Sequence, residues 1–188
     1  NFIMSKLETN TIDTVSGTTN LVIGSTNTST ITMPNGKLTG HNYPAFEAYL
    51  SSTQSISDAT HTKIQFDAKF FDTDNCYSTS TYKFTPTVAG KYYIYLKAEI
   101  DFASNQHGNQ SQARIFKNGT VYSLTVMQAT SNPIGRFVTV FNHAVLSLNG
   151  TSDYVEGYGY GDDTSGTPAI TGSSGIYRST FGAYRIGA

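Results

Sequence analysis

Residues 66–96 read FDAKFFDTDNCYSTSTYKFTPTVAGKYYIYL, and the way their apolar groups are spaced decides the fold. The end of the stretch alternates. Tyr92, Ile94 and Leu96 share one parity with Ala98, Ile100 and Phe102 beyond it, while Tyr93, Tyr95, Lys97, Glu99 and Asp101 take the other. A period of two sustained over that length is a long strand with one buried face. Upstream, aromatic residues recur at wider intervals among Thr, Ser, Asp and Asn, with few groups suited to chemistry. Large rings at strand starts and loops plug the ends of a β-sandwich, so Phe66, Tyr77, Phe84 and Tyr92 are expected to be scaffold. Gly90 opens the long strand, at a point that needs a conformation or a clearance only glycine provides.

Outward from this stretch the same grammar continues. QARIFKNGTVYSLTV (112–126) places two alternating runs on either side of Asn118-Gly119, the signal for a hairpin with a type I′ turn. RFVTVFNHAVLSLNGTSDYVEGYGY (136–160) is expected to repeat the device at Asn149-Gly150, and STFGAYRIG (179–187) is a closing strand. No helical period is convincing. Long strands at this spacing define an all-β sandwich or jelly roll. Within 137–148, Phe137, Phe141 and Val145 occupy one parity and Val138, Val140, Leu146 and Leu148 the other. Either a bulge mixes the two faces, or the strand has a second buried surface, as at an oligomer interface.

Composition narrows the function classes. The chain has 188 residues with 13% charged and a net charge of −1, which excludes the basic excess that phosphate backbones demand. Cys76 is the single cysteine, so no intrachain disulfide forms. No apolar run approaches the roughly twenty residues of a membrane-spanning helix, and no signal peptide is visible. Met4-Ser5-Lys6 resembles a natural start, with Asn1 to Ile3 preceding it.

Residues 1–41 differ in character from 42–188. LETNTIDTVSGTTNLVIGSTNTSTITMPNGKLTG (7–40) carries small apolar groups, Ile12, Val15, Leu21, Ile23, Ile31 and Met33, between runs of Thr, Ser, Asn and Gly. So thin a β-pattern buries little by itself. It is expected to order by winding with copies of itself or docking onto a larger structure, as a β-rich stalk or anchor; a flexible linker is the alternative.

Phe66, Asp72 six residues on, Tyr77 five on, Phe84 seven on, Gly90 six on and Tyr92 two on together resemble the signature of the globular head domain of the complement q-subcomponent (C1q) family, within the tumour-necrosis-factor-like jelly rolls. That signature asks for two further aromatics where this chain has Ile94 and Leu96, both apolar and on the inward parity. PAFEAYL (44–50) resembles the family's first strand and STFGAYRI (179–186) its last, so the resemblance spans about residues 44–186. It implies a homotrimer that binds proteins or glycans and catalyses nothing, with Phe46, Tyr49, Phe137, Phe141, Phe181 and Tyr184 as the candidate trimer interface. Some members hold calcium near the trimer axis. No Gly-X-Y collagen repeat precedes this head. The stalk is instead similar to the Thr/Asn/Gly-rich shafts of bacteriophage fibre proteins. That similarity implies a virion structural protein, of fibre or decoration type, attached to other virion proteins through residues 1–41 and meeting a host-surface glycan or protein through its head. A secreted or cell-surface binding module and a glycan hydrolase are the alternatives.

Chemistry is sparse. His41, His61, His107 and His143 show no metal-ligand spacing. Asp153, Glu156, Asp162 and Asp163 are the one acidic set; paired carboxylates can hydrolyse glycosides or bind calcium, but they read here as solvated loop charges. Tyr154, Tyr158 and Tyr160 share a parity opposite Gly157 and Gly159, either as packing or as a binding platform. Loops on a rigid sandwich usually carry the ligand site. SNQHGNQS (104–111) and GDDTSGTPAITGSSG (161–175) therefore supply the ligand-binding candidates Asn105, His107, Asn109, Asp162 and Asp163.

Overall fold

The structure is a computed structural model that describes residues 43–104, 107–130 and 133–187. The expected stalk or anchor, 1–41, lies outside the described residues, as does Asn105. The described residues belong to one unit of the chain, Asn42–Ala188. Every regular element among them is a strand: β1 (Ala45–Tyr49), β2 (Ser52–Ser55), β3 (Thr62–Lys63), β4 (Ala68–Asp72), β5 (Tyr77–Ser78), β6 (Lys83–Phe84), β7 (Gly90–Asp101), β8 (Gly108–Lys117), β9 (Thr120–Gln128), β10 (Phe137–Leu148), β11 (Val155–Asp163), β12 (Ala169–Ser173) and β13 (Thr180–Gly187).

These strands form two facing sheets. The larger runs β2-β12-β7-β13-β1-β4, with β10 on the other edge of β7; the smaller runs β5-β6-β11-β8-β9, with β3 also on β11. First and last strands lie side by side, Phe46 opposite Ala183 and Ala48 opposite Phe181, as in a jelly roll. The inward parity of β7 is buried throughout, from Tyr92 to Phe102. Ile94 and Leu96, where the family signature asks for aromatics, are buried with it. Gly157, Gly159 and Gly161 face the same core. A Cβ on them would come within 3.0 Å of Leu96, 2.7 Å of Ile170 and 2.8 Å of Pro168, so the bulk of β7 and β12 requires glycine on β11.

The signature rings converge at one end of the sandwich. Phe46 stacks on Tyr77 at 4.5 Å and on Phe84 at 4.7 Å, and meets Phe181 edge-on at 5.2 Å. Phe84 meets Tyr92 at 5.6 Å and Phe66 lies 5.7 Å from Phe181. The Tyr77 phenol donates to the Phe66 carbonyl at 3.0 Å, which lets a polar tip enter an apolar end. Asp72 is the polar member of the signature for a specific reason. Its carboxylate accepts the backbone N–H of Cys76 at 2.9 Å and of Tyr77 at 3.1 Å, fixing the turn that carries Tyr77 inward. At Gly90 the requirement is clearance: a Cβ would sit 2.4 Å from the Gly187 carbonyl.

Two turn expectations part ways. Asn118 (φ 51°) and Gly119 (φ 78°) form the two-residue turn between β8 and β9. Asn149-Gly150 does not form a hairpin. β10 pairs with β7 in the larger sheet and β11 with β8 in the smaller, so the segment crosses between sheets. Asn149 organises the crossing by accepting the N–H groups of Thr151, Ser152 and Asp153 at 2.9–3.0 Å. The Asn-Gly pair was legible as a turn, but which strands flank it was not.

Candidate functional site

The larger sheet turns one face away from the core, and that face is apolar. β10 pairs with β7 over twelve residues without a register shift, so no bulge mixes its parities. Phe137, Phe141 and Val145 are 49%, 64% and 49% exposed, while Val138, Val140, Leu146 and Leu148 are buried. Register extends the apolar row sideways, since Tyr93 lies between Val145 on β10 and Tyr184 on β13. Tyr93 packs against Tyr184 at 5.3 Å and His143 at 5.9 Å. Tyr95 crosses β13 to reach Glu47. Its ring lies where a Cβ on Gly182 would come within 2.2 Å, and its phenol donates to the Glu47 carboxylate. Burial first, and then the Glu47 charge, push that phenol far above the usual tyrosine range.

Of the six residues expected at a subunit contact, Phe137, Phe141 and Tyr184 are on this outer face and exposed. Tyr49 is half-buried in a surface aromatic trio with Phe70 at 4.7 Å and Tyr177 at 4.9 Å. Phe46 and Phe181 must be corrected. Both are fully buried within the sandwich, because their strand parity is the inward one, and they offer no surface to a neighbour. Tyr93, Tyr95 and His143 complete the face and were not assigned to a subunit contact from sequence. The outward parity of β7 and β10 was the signal that could have found them.

One end of the face is charged. Arg136 makes a two-pronged contact with Asp101 at 2.8 and 3.1 Å, and Arg178 meets Glu99 at 2.5 Å. Both guanidinium groups lie over the Phe137 ring, at 4.8 and 5.4 Å. Hydrogen bonds from Arg136 and the Ala103 N–H outweigh desolvation and hold the Asp101 carboxyl below the ordinary range. Nearby runs the open side of the sandwich, where β9 exposes Val121, Tyr122, Leu124, Val126 and Met127. Asn142 ties the two sheets there, accepting from the Ser123 hydroxyl at 2.8 Å and donating to the Ala113 carbonyl at 3.0 Å.

The loop candidates come together at the far end of β8 and β11. Asn109 donates to Asp162 at 2.7 Å. His107 lies 3.6 Å from Asp163 and within hydrogen-bonding distance, 3.1 Å, of the Ser165 hydroxyl. Asp163 is buried rather than a solvated loop charge. It donates its N–H to Asp58 at 2.7 Å and accepts the Ser165 N–H at 2.9 Å, which makes it the fastener of the loop. The Ser165 hydroxyl lies 3.1 Å from Nδ1 and 3.4 Å from Nε2 of His107, beside the ring rather than in line with either nitrogen, and Asp163 at 3.6 Å is beyond hydrogen-bond distance, so no carboxylate orients the imidazole as a triad requires. Among the described residues no three His, Cys, Asp or Glu side chains are grouped to hold a metal ion.

The sequence profile of the C1q domain family matches residues 45–164, and the chain belongs to that family. Solved structures agree on the fold. The globular domain of zebrafish complement 1qA superimposes with a TM-score of 0.56 at 18% identity, over 77% of this chain and 98% of that one. Murine APRIL gives 0.56 at 8% identity over 77% and 100%, and the Eiger TNF of S. frugiperda gives 0.50 at 13% over 77% and 91%. No curated protein matches this chain.

Proposed function

We propose that this chain is a non-catalytic, homotrimeric binding module. In each contact, the outer face of the larger sheet on one copy meets the β9–β10 side of the next. The observation that carries the reading is the in-register exposed row Val145–Tyr93–Tyr184, flanked by Phe137 and Phe141. An apolar row of this kind, bordered by the charged groups Lys97, Glu99 and Asp101, marks an association surface. Face meeting side is a heterologous contact, which closes into a three-membered ring when each copy is turned by a third of a revolution from the last. Light scattering of the wild type should give three times the chain mass at micromolar concentration, and Phe141→Asp should give a folded monomer. A wild-type monomer would sink the assembly.

The role proposed for the trimer is that of a virion structural protein, fibre or decoration, displayed on a phage particle. Residues 1–41 then join it to other virion proteins, and the head meets a host-surface glycan or protein. Support for this placement is the shaft-like sequence of 7–40. Antibody labelling of intact particles tests it; labelling restricted to secreted or cell-surface material would favour the alternative module.

A further inference from the structure

The smaller sheet also presents an outward face, on the opposite side of the sandwich from the apolar one, and its chemistry differs. β11 turns Tyr158 and Tyr160 outward, and β8 turns Arg114 and Phe116 outward beside them, with Tyr158 opposite Arg114 and Tyr160 opposite Gln112. The rings are held in stacked pairs, Tyr158 on Phe116 at 4.1 Å and Tyr160 on His61 at 4.6 Å. Between them runs a chain of planar polar groups. Arg114 Nε donates to Gln112 at 2.7 Å, and Gln112 donates in turn to Gln110. His61 Nε2 lies 3.3 Å from the same Gln112 oxygen.

These contacts leave particular groups open. The Arg114 terminal nitrogens and both phenols have no hydrogen-bond partner among the described residues. Desolvation raises both phenols, with Glu156 adding to it at Tyr158 and Asp162 at Tyr160, so both remain hydroxyl donors at neutral pH. Charge is nearly balanced. Lys63 and Lys83 share Glu156, at 3.0 and 4.0 Å, and Asp162 and Asp58, whose charges both reach Tyr160, offset the second lysine and Arg114, so the face has no basic excess to attract a polyanion.

We propose that this face is a binding site for neutral saccharide chains, with Tyr158 and Tyr160 contacting the apolar faces of the sugar rings and Arg114 bridging adjacent hydroxyls. Fixed rings with polar tips suit a ligand that alternates C–H faces with hydroxyl edges. A guanidinium fork suits a pair of acceptors at the spacing of vicinal hydroxyls.

The inference rests on the binding-module reading and names its ligand class. Its test is an array of immobilised neutral hexose and N-acetylhexosamine oligosaccharides, with sulfated and sialylated chains alongside, probed with the full chain. Wild type should retain neutral chains. Arg114→Ala and Tyr160→Ala should each weaken retention by about tenfold, the loss expected for one hydrogen-bonding or packing contact. Tyr160→Phe, which keeps the stack on His61, should weaken it less, and it serves if the alanine variant fails to fold. Retention of sulfated chains only, retention unchanged in Arg114→Ala, capture of a cell-surface protein only, or no retention would each overturn the proposal. Chain mass is measured on the same samples: a monomer that still retains saccharide would overturn the assembly and support this site.

Discussion

Replacing Asp72 by alanine tests the claim that the signature acid organises the aromatic end. The carboxylate accepts two backbone N–H groups, at Cys76 and Tyr77, and the Lys69 ammonium at 2.9 Å. Alanine leaves both N–H donors short of a partner beside a ring, Tyr77, that is 2% exposed. An unsatisfied buried donor costs about 1–3 kcal/mol. The Lys69 pair, with its ammonium largely in water, adds little. The expected loss is therefore about 2–4 kcal/mol, most of it at the Tyr77 turn. Asp72→Asn keeps one acceptor oxygen and should lose about half as much. Desolvation works against the Asp72 charge, but Lys69 and the two N–H groups outweigh it and hold its carboxyl below the ordinary aspartate value. A depressed carboxyl stabilises the fold above its unfolded value and stops doing so as pH falls through the folded value. The gap between wild type and Asp72→Ala should thus be full at pH 7 and shrink below pH 3.8. Urea unfolding at one fixed chain concentration, at pH 7 and near pH 3, measures it. Equal midpoints for wild type and Asp72→Ala at pH 7, or a gap that widens in acid, would refute the reasoning.

Other outcomes follow from the same geometry. Phe46→Asp and Phe181→Asp should prevent folding, whereas Phe141→Asp should only dissociate the assembly; circular dichroism and light scattering separate the two effects. Gly182→Ala should displace Tyr95 from Glu47, because its Cβ would lie only 2.2 Å from the Tyr95 ring, and lower the melting temperature by several degrees, on the order of 1–3 kcal/mol. Cys76 is buried, and desolvation together with Asp72 pushes its thiol far above the usual range. It should resist a thiol reagent at neutral pH until urea unfolds the chain. Host polysaccharide incubated with wild type or with Asp162→Asn should keep its chain length in both; shortening by wild type alone would convert the binding module into a hydrolase.

Period and spacing in the sequence were enough for the all-β class, the buried parity of β7, the Asn118-Gly119 turn and the aromatic scaffold at Phe66, Tyr77, Phe84 and Tyr92. Each of these is local, or is a spacing that a sheet reads with period two. Apolar residues on both parities of 137–148 were visible too, and their meaning became definite once the unbroken β7–β10 register removed the bulge. Tertiary structure decided what depends on partners distant in sequence. Asn149-Gly150 turns the chain, but only the pairing of β10 with β7 and β11 with β8 makes that turn a crossing. Phe46 and Phe181 were expected at the subunit contact from the family resemblance; their inward parity, 135 residues apart but on the neighbouring strands β1 and β13, put them in the core. Asp163 read as a loop charge until Asp58, His107 and Ser165 closed around it. Arg114 on β8, Tyr160 on β11 and His61 just before β3 are far apart in the chain, and no local pattern joins them. They meet because the smaller sheet sets β3 and β8 on opposite edges of β11, and sheet order is settled by the packing of the whole core rather than by any one strand.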